Sequence, residues 1–204
     1  MLRVGLLGAG RIGRIHGGNI AAHARATLAA VADADVAAAH ALAKAANAAV
    51  KTVDAIIDAA DIDAVFVCTP TDTHADLIER TVRTGKAVFC EKPNDLDAAR
   101  VRSCLDVVRK SGSKLMVGFN RRFDPSFAAI RRRIAAGEIG VIELVTILSR
   151  DPAPPPPELH NAAAIKVRMF DRTSAAVMRT LVSGSSALRR SVRMSWGTPL
   201  FPGV

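Results

Sequence analysis

The sequence predicts an α/β fold: a Rossmann-type parallel sheet with helices on both faces, followed by an incomplete α+β second domain and an irregular tail. Over the first 120 residues, short apolar runs alternate with helix-length amphipathic segments, which is typical of repeated βα units. The apolar runs lack polar alternation, as expected of strands covered on both faces. After Asp151 a run of prolines interrupts this pattern. We therefore predict a Rossmann domain over residues 1–122, the start of a second domain over 123–151, and an irregular segment over 152–204.

The predicted elements follow one another in a regular order. Strands are expected at residues 3–7, 27–32, 64–68, 87–90 and 114–119, with a weaker candidate at 48–53. Gly85 and Gly112 stand where the helices over 73–84 and 96–111 should end, in the left-handed position that favours glycine. In the second domain, a helix from Pro125 to residue 136 closes at Gly137 and precedes a strand over 141–148.

Composition limits the class of protein. Half of the residues are hydrophobic but only 4% are aromatic, and no apolar run approaches the roughly 20 residues needed to cross a bilayer. The chain opens directly on a strand rather than on a signal segment, so a cytoplasmic location without a membrane partner is expected. Cys68, Cys90 and Cys104 lack metal-ligand or redox spacing and are predicted to be small buried side chains, with no metal site.

The net charge of +9 raises the possibility of a nucleic-acid partner. Much of it falls on residues 152–204, which carry Lys166 and six arginines against Glu158 and Asp171. The folded body therefore has an ordinary charge, and no nucleic-acid partner is predicted. A binder that uses only the basic tail remains a further hypothesis.

A glycine-rich motif, Gly8-Ala9-Gly10-Arg11-Ile12-Gly13, lies directly after the first strand and opens a helix. In such a motif Gly8 permits the tight turn, Gly10 allows close approach to a pyrophosphate, and Gly13 lets helix and strand pack. The free N–H groups of the helix N-terminus then face the phosphates. The residues predicted to contact a dinucleotide here are Gly8, Gly10, Arg11, Ile12 and Gly13.

An acidic residue at the end of the second strand supports the same interpretation. Asp33 follows Gly13 by 20 residues, where a carboxylate accepts hydrogen bonds from the adenosine ribose and repels a 2′-phosphate. NAD is therefore the expected cofactor. Asp33 or Asp35 could also serve as the N-cap of the next helix.

Two further loops follow strands, and ligands of such sheets bind beyond the carboxyl ends of strands. Thr69 and Pro70 should border the cofactor, whereas Asp72 is expected to cap the following helix and His74 to be structural or solvated. In the second loop, Lys92 can hydrogen-bond a substrate hydroxyl and assist its deprotonation. We predict Lys92 as the catalytic residue and the preceding Glu91 as a cofactor contact.

The next strand ends in Gly118-Phe119-Asn120-Arg121-Arg122-Phe123-Asp124. Asn120 and Arg121 are positioned to reach a polyhydroxylated substrate or the nicotinamide amide. An inter-domain salt bridge from Arg121 or Arg122 explains the same residues equally well.

Taken in this order, the motifs resemble those of the glucose–fructose oxidoreductase/inositol dehydrogenase (Gfo/Idh/MocA) family over residues 1–151. The resemblance implies an NAD-dependent enzyme that oxidises a ring hydroxyl of a cyclic polyol, myo-inositol to an inosose ketone. It also implies that Lys92 is the catalytic lysine, and that complete members form homo-oligomers (tetramers). The most specific stretches are residues 31–35, 68–77, 89–96, 117–127 and 149–152.

The sequence departs from the family pattern beyond the proline run. Family members carry in the second domain an Asp followed four residues later by a His that acts as general base, and neither His160 nor any other later residue completes this pair. Asn94 also stands where members commonly carry an apolar residue. We expect residues beyond about 155 to be truncated or out of frame, and the chain itself to be inactive. The alternative is a non-catalytic NAD-binding fragment or sensor module.

Overall fold

The computed structural model describes residues 1–142, 144–148 and 191–195, and the chain divides into two compact units after Asp124. The strands of the first unit are β1 (Leu2–Leu7), β2 (Ala26–Ala32), β3 (Ala49–Val50), β4 (Ala64–Val67), β5 (Ala87–Cys90) and β6 (Leu115–Val117). Its α-helices are α1 (Arg11–Ala21), α2 (Val36–Ala46), α3 (Val53–Asp58), α4 (His74–Arg83) and α5 (Ala98–Ser111). Two 3-10 turns, Thr71–Thr73 and Asn120–Phe123, follow β4 and β6.

The six strands form one parallel sheet in the order β3-β2-β1-β4-β5-β6, which confirms the predicted Rossmann-type architecture. β4 ends at Val67, one residue before its predicted end, and two other strands are several residues shorter than the sequence predicts. β3 stops at Val50 because Thr52 already caps α3 through the Ala55 amide. β6 stops at Val117 because the Phe119 amide turns back to the Val117 carbonyl at 2.7 Å.

Alternate residues of β1 enter two separate apolar cores, one on each face of the sheet. Val4 and Leu6 pack with Ile20 of α1 and Leu42 of α2 in one cluster. Leu7 belongs to the other cluster, together with buried residues of α3, α4 and α5. Helices therefore cover both faces, which explains why the strands read as continuous apolar runs.

The predicted helix ends agree with the backbone. Gly85 and Gly112 have φ of +79° and +69° after α4 and α5, and a Cβ at either would meet no other atom within 4 Å. Backbone conformation rather than crowding therefore favours glycine at both positions.

The second unit begins with α6 (Pro125–Ala135), as Pro125 predicts, and Gly137 follows it with φ of +74°. β7 (Leu144–Leu148) lies within the predicted strand and pairs in parallel with β8 (Ser191–Ser195). β8 corrects the prediction that the segment after residue 151 contains no regular element. Its sequence alternates Val192 and Met194 with polar residues, a strand period that five residues barely reveal. The rest of 152–204, and with it the disrupted-frame hypothesis, lies outside the described residues.

No helix within the described ranges is long and apolar enough to cross a membrane.

Candidate functional site

Five strand ends stand in one row across the carboxyl edge of the sheet. Pairing joins Ala32 to Leu7, Leu7 to Val67, Val67 to Cys90 and Cys90 to Val117. The amide of the residue after β1, β4, β5 or β6 donates to the last carbonyl of the neighbouring strand, at N–O distances of 2.7 to 2.9 Å. Every motif singled out in the sequence therefore starts at the same level. The residues that open these loops are Gly8, Asp33, Cys68, Glu91 and Gly118.

The turn after β1 requires two of its glycines for steric reasons. Gly8 has φ of +96°, and a Cβ there would lie 2.5 Å from the carbonyl oxygen of Cys68. A Cβ at Gly13 would lie 1.8 Å from the Gly8 carbonyl oxygen. No side chain fits at that distance, so the helix can approach the turn only through glycine.

Gly10 is different, because a Cβ there would meet no protein atom within 4 Å. It occupies the N-cap position of α1, and its backbone is extended with φ of −65° and ψ of −169°. No side chain caps the helix, and its first turn carries no acidic residue, while Arg11 is exposed and Ile12 half-buried. An uncapped helix start beside open space suits a phosphate group, which accepts hydrogen bonds from the free N–H groups.

The Asp33 carboxylate is held by backbone amides on both sides. Its Oδ2 accepts a short hydrogen bond from the Ala9 amide in the glycine-rich turn, and its Oδ1 accepts from the Asp35 amide at 2.7 Å. Asp35 is the N-cap of α2, with bonds to the Ala37 and Ala38 amides, so Asp33 is not the cap. A carboxylate oxygen has two acceptor sites, so each Asp33 oxygen retains one that fits a ribose hydroxyl.

In the loop after β4, hydroxyl groups hold the backbone at Thr69 and Pro70. The Thr69 and Thr73 hydroxyls lie 2.6 Å apart, and Thr73 donates to the Pro70 carbonyl at 2.8 Å. The prediction that Asp72 caps the next helix is wrong. Thr73 takes the N-cap position of α4, with no side-chain cap because its hydroxyl is engaged within the loop.

His74 proves to be structural rather than solvated, since only 2% of it is exposed. Its Nδ1 lies 2.7 Å from the Pro93 carbonyl oxygen, and its Nε2 lies 2.8 Å from that of Thr69. The ring therefore joins the loop after β4 to the loop after β5.

The three cysteines are free and buried, in agreement with the sequence-based interpretation. Burial, and secondarily the charge of Glu91, raises the pKa of the Cys68 thiol to about 12. Burial also raises the pKa values of Cys90 and Cys104. Thiols with such pKa values stay protonated and unreactive at neutral pH.

Glu91 is oriented by a residue that the sequence did not indicate. His16 of α1 places Nε2 at 2.8 Å from Glu91 Oε1, while the Lys92 amide donates to Glu91 Oε2 at 3.2 Å. The His16 ring packs edge-on against Phe89 and Phe66, which stack on each other. The only available signal was that His16 lies one helical turn beyond Gly13.

Lys92, by contrast, is exposed, and its ammonium forms no ion pair with any described residue. Asn120 and Arg121 lie in the exposed 3-10 turn after β6, with the Asn120 amide bonded to the Gly118 carbonyl at 2.9 Å. The register places this turn in the same row as Lys92. Whether Arg121 serves a substrate or an inter-domain salt bridge stays a prediction.

Comparison with known proteins agrees with this geometry. Residues 2–119 match the oxidoreductase family described as GFO_IDH_MocA, with an NAD-binding Rossmann fold. The chain is 64% identical over 155 residues to an inositol 2-dehydrogenase of Rhizobium meliloti (strain 1021), covering 76% of this chain and 47% of that protein.

Solved structures give the same result. A putative myo-inositol dehydrogenase from Sinorhizobium meliloti 1021 superimposes with a TM-score of 0.75 at 61% identity, over 78% of this chain and 48% of that one. A scyllo-inositol dehydrogenase from Lactobacillus casei, solved with bound NAD(H) and scyllo-inositol, gives a TM-score of 0.68 at 32% identity, over 82% and 49%. The chain thus spans about half the length of the relatives it matches.

Proposed function

Because the chain belongs to the Gfo/Idh/MocA oxidoreductase family, which has an NAD-binding Rossmann fold, we propose that it serves the NAD-dependent oxidation of a ring hydroxyl of a cyclic polyol. The proposed substrate is myo-inositol and the product an inosose ketone. One observation carries this proposal: the 64% identity to an inositol 2-dehydrogenase extends over 155 residues, well past the family domain.

The described residues fit NAD at two places. The uncapped start of α1 beside Gly10 suits the pyrophosphate, and the free acceptor sites of Asp33 suit the adenosine ribose hydroxyls. The negative charge of Asp33 would repel a 2′-phosphate, which favours NAD over NADP. Thr69 and Pro70 in the loop after β4, and Glu91 at the start of the loop after β5, complete the proposed contact surface.

When bound, NAD supplies the acceptor for the hydride that leaves the carbinol carbon. Lys92 hydrogen-bonds the substrate hydroxyl through its ammonium and stabilises negative charge on that oxygen. The hydroxyl proton passes to a general base, which by the family resemblance is a histidine of the second domain. Asn120 and Arg121 are proposed to orient the remaining hydroxyl groups. A polyol substrate, a cytoplasmic location and a homo-oligomer without a nucleic-acid partner belong to the same proposal.

A second candidate function is an NAD-binding module without turnover. It is favoured by the sequence itself, because the Asp/His pair expected from the family resemblance does not occur in these 204 residues. Loss of one general base typically lowers the rate by ~10²–10⁴-fold.

The two candidates are separated by measuring NAD binding by calorimetry and NADH formation with myo-inositol in the same preparation. The dehydrogenase should bind NAD and form NADH with myo-inositol, whereas the inactive module should bind NAD with negligible turnover. Turnover at an ordinary enzymatic rate that Lys92→Ala abolishes would establish the dehydrogenase and exclude the inactive module. Absence of NAD binding would contradict both candidates.

A further inference from the structure

A buried histidine connects the two loops that flank the proposed reaction centre. His74 is the first residue of α4, and its ring lies between the Thr69 and Pro93 carbonyl oxygens at 2.8 and 2.7 Å. With 2% exposure it cannot touch a substrate. Its two contacts instead reach the loop that borders the cofactor and the residue directly after Lys92.

The chemistry of this contact is restrictive. Both partners are carbonyl oxygens, which only accept hydrogen bonds, whereas a neutral imidazole carries a single N–H donor. Because these oxygens face a buried ring, a side chain without donors would leave them unsatisfied.

The backbone is therefore held by contacts on both sides of the Lys92 side chain. Its own amide donates to Glu91, whose carboxylate also bonds His16, and the following Pro93 carbonyl contacts His74. The side chain between them is exposed and free of ion pairs with described residues. A long side chain that no ion pair with a described residue holds takes its position from its Cα, and therefore from these two anchors.

We propose that His74 is a positioning residue for Lys92, holding the Lys92 backbone against the loop after β4 and so fixing where the ammonium emerges beside the cofactor. The cofactor part of this proposal rests on the proposed function. The anchoring of the backbone does not, because it concerns the chain without a ligand.

The test compares three variants of the 204-residue chain. His74→Phe keeps a planar ring but has no donor, whereas His74→Gln retains two N–H donors on one nitrogen. Thr81→Val is the matched control: Thr81 is fully buried on the same helix, but its hydroxyl bonds only the Leu77 carbonyl within α4. It should lower stability without disturbing the loops.

Without NAD, hydrogen exchange is measured at the Lys92 and Asn94 amides. In His74→Phe these amides should exchange about tenfold faster, the change expected from loss of one hydrogen bond. His74→Gln should show a smaller change and Thr81→Val none beyond its global effect. Unchanged exchange in His74→Phe, or equal effects of Phe and Gln, would overturn the proposal.

With NAD, the Lys92 side chain is observed by NMR after reductive methylation with a ¹³C label, the signal being assigned with Lys92→Arg. NAD should shift the wild-type resonance, and the shift at saturating NAD should fall by more than half in His74→Phe but not in Thr81→Val. An equal shift in His74→Phe and wild type would refute the positioning role. If wild type itself does not respond to NAD, the proposed function fails, and the exchange measurements still decide the role of His74.

Discussion

Valine in place of Gly10 should abolish NAD binding while leaving the chain folded. A Cβ at this position meets no protein atom within 4 Å, and the backbone angles of −65° and −169° are open to any residue. The space that valine would fill is therefore the space beside the start of α1, where the pyrophosphate is proposed to lie. Binding and stability should consequently respond in different ways.

The magnitudes follow from the local structure. A nonpolar residue at an N-cap costs up to about 1 kcal/mol. Replacing glycine where the new residue can adopt the same conformation stabilises the folded state by about 0.4–1 kcal/mol, because the unfolded chain has less conformational entropy. The free energy of unfolding should therefore change by less than about 1 kcal/mol. Displacing the pyrophosphate from two charge-assisted N–H bonds costs about 3–6 kcal/mol, so the dissociation constant should rise at least about 100-fold.

Calorimetric titration with NAD and urea unfolding measure the two quantities separately. Gly18→Ala is the matched control, since Gly18 lies in the same helix, is exposed and also has no atom within 4 Å of a Cβ. It should raise the free energy of unfolding by about 0.5–1 kcal/mol and leave NAD binding unchanged. A folded Gly10→Val variant with the wild-type dissociation constant would refute the phosphate role of this turn.

Three further predictions concern charge, burial and pH. Asp33→Ala should lower the preference for NAD over NADP by about tenfold or more in paired titrations. The control Asp35→Ala should lower the free energy of unfolding by about 1 kcal/mol, because α2 loses its cap, and should leave the preference intact. Equal preferences in Asp33→Ala and wild type would show that Asp33 does not bind the ribose. Asn94→Leu should raise the free energy of unfolding by about 1–2 kcal/mol, because Asn94 Oδ1 is buried without a hydrogen-bond partner among the described residues; a loss of stability in urea unfolding would contradict this. Because burial raises the pKa of the Cys68 thiol from an ordinary value near 9 to about 12, its contribution to stability is complete below pH 9 and declines by about 1.4 kcal/mol per pH unit between pH 9 and 12. Cys68→Ala should make that decline shallower in unfolding experiments across this range, and an identical slope would show that the thiol does not contribute.

The sequence alone was sufficient for the features that depend on near neighbours. Gly8 and Gly13 at their spacing predict a tight turn between strand and helix, and the structure shows that neither position has room for a side chain. The placement of the loops could also be predicted, because consecutive parallel βα units bring every loop that follows a strand to the same edge of the sheet. This is why Asp33, Lys92 and Asn120 could be assigned to one site from their order along the chain.

Local pattern was insufficient where several polar groups compete for the same role. The sequence favoured Asp72 as the N-cap of α4. In the structure Thr73 occupies that position, and its hydroxyl donates to the Pro70 carbonyl within the loop, so α4 has no side-chain cap. From the sequence, Asp33 and Asp35 were equal candidates for the N-cap of α2. In the structure the Asp33 carboxylate accepts a hydrogen bond from the Ala9 amide in the turn after β1.

Only the tertiary structure determined the contacts that hold the proposed catalytic loop. His16 contacts Glu91, which is 75 residues away in the sequence, and His74 contacts the Pro93 carbonyl, which is 19 residues away. Such contacts depend on the register of the sheet and on how α1 and α4 pack against it. The whole apolar core determines that packing, whereas a motif reports only the preferences of its own few residues. Sequence therefore determined which loops meet, and tertiary packing determined which side chains hold them there.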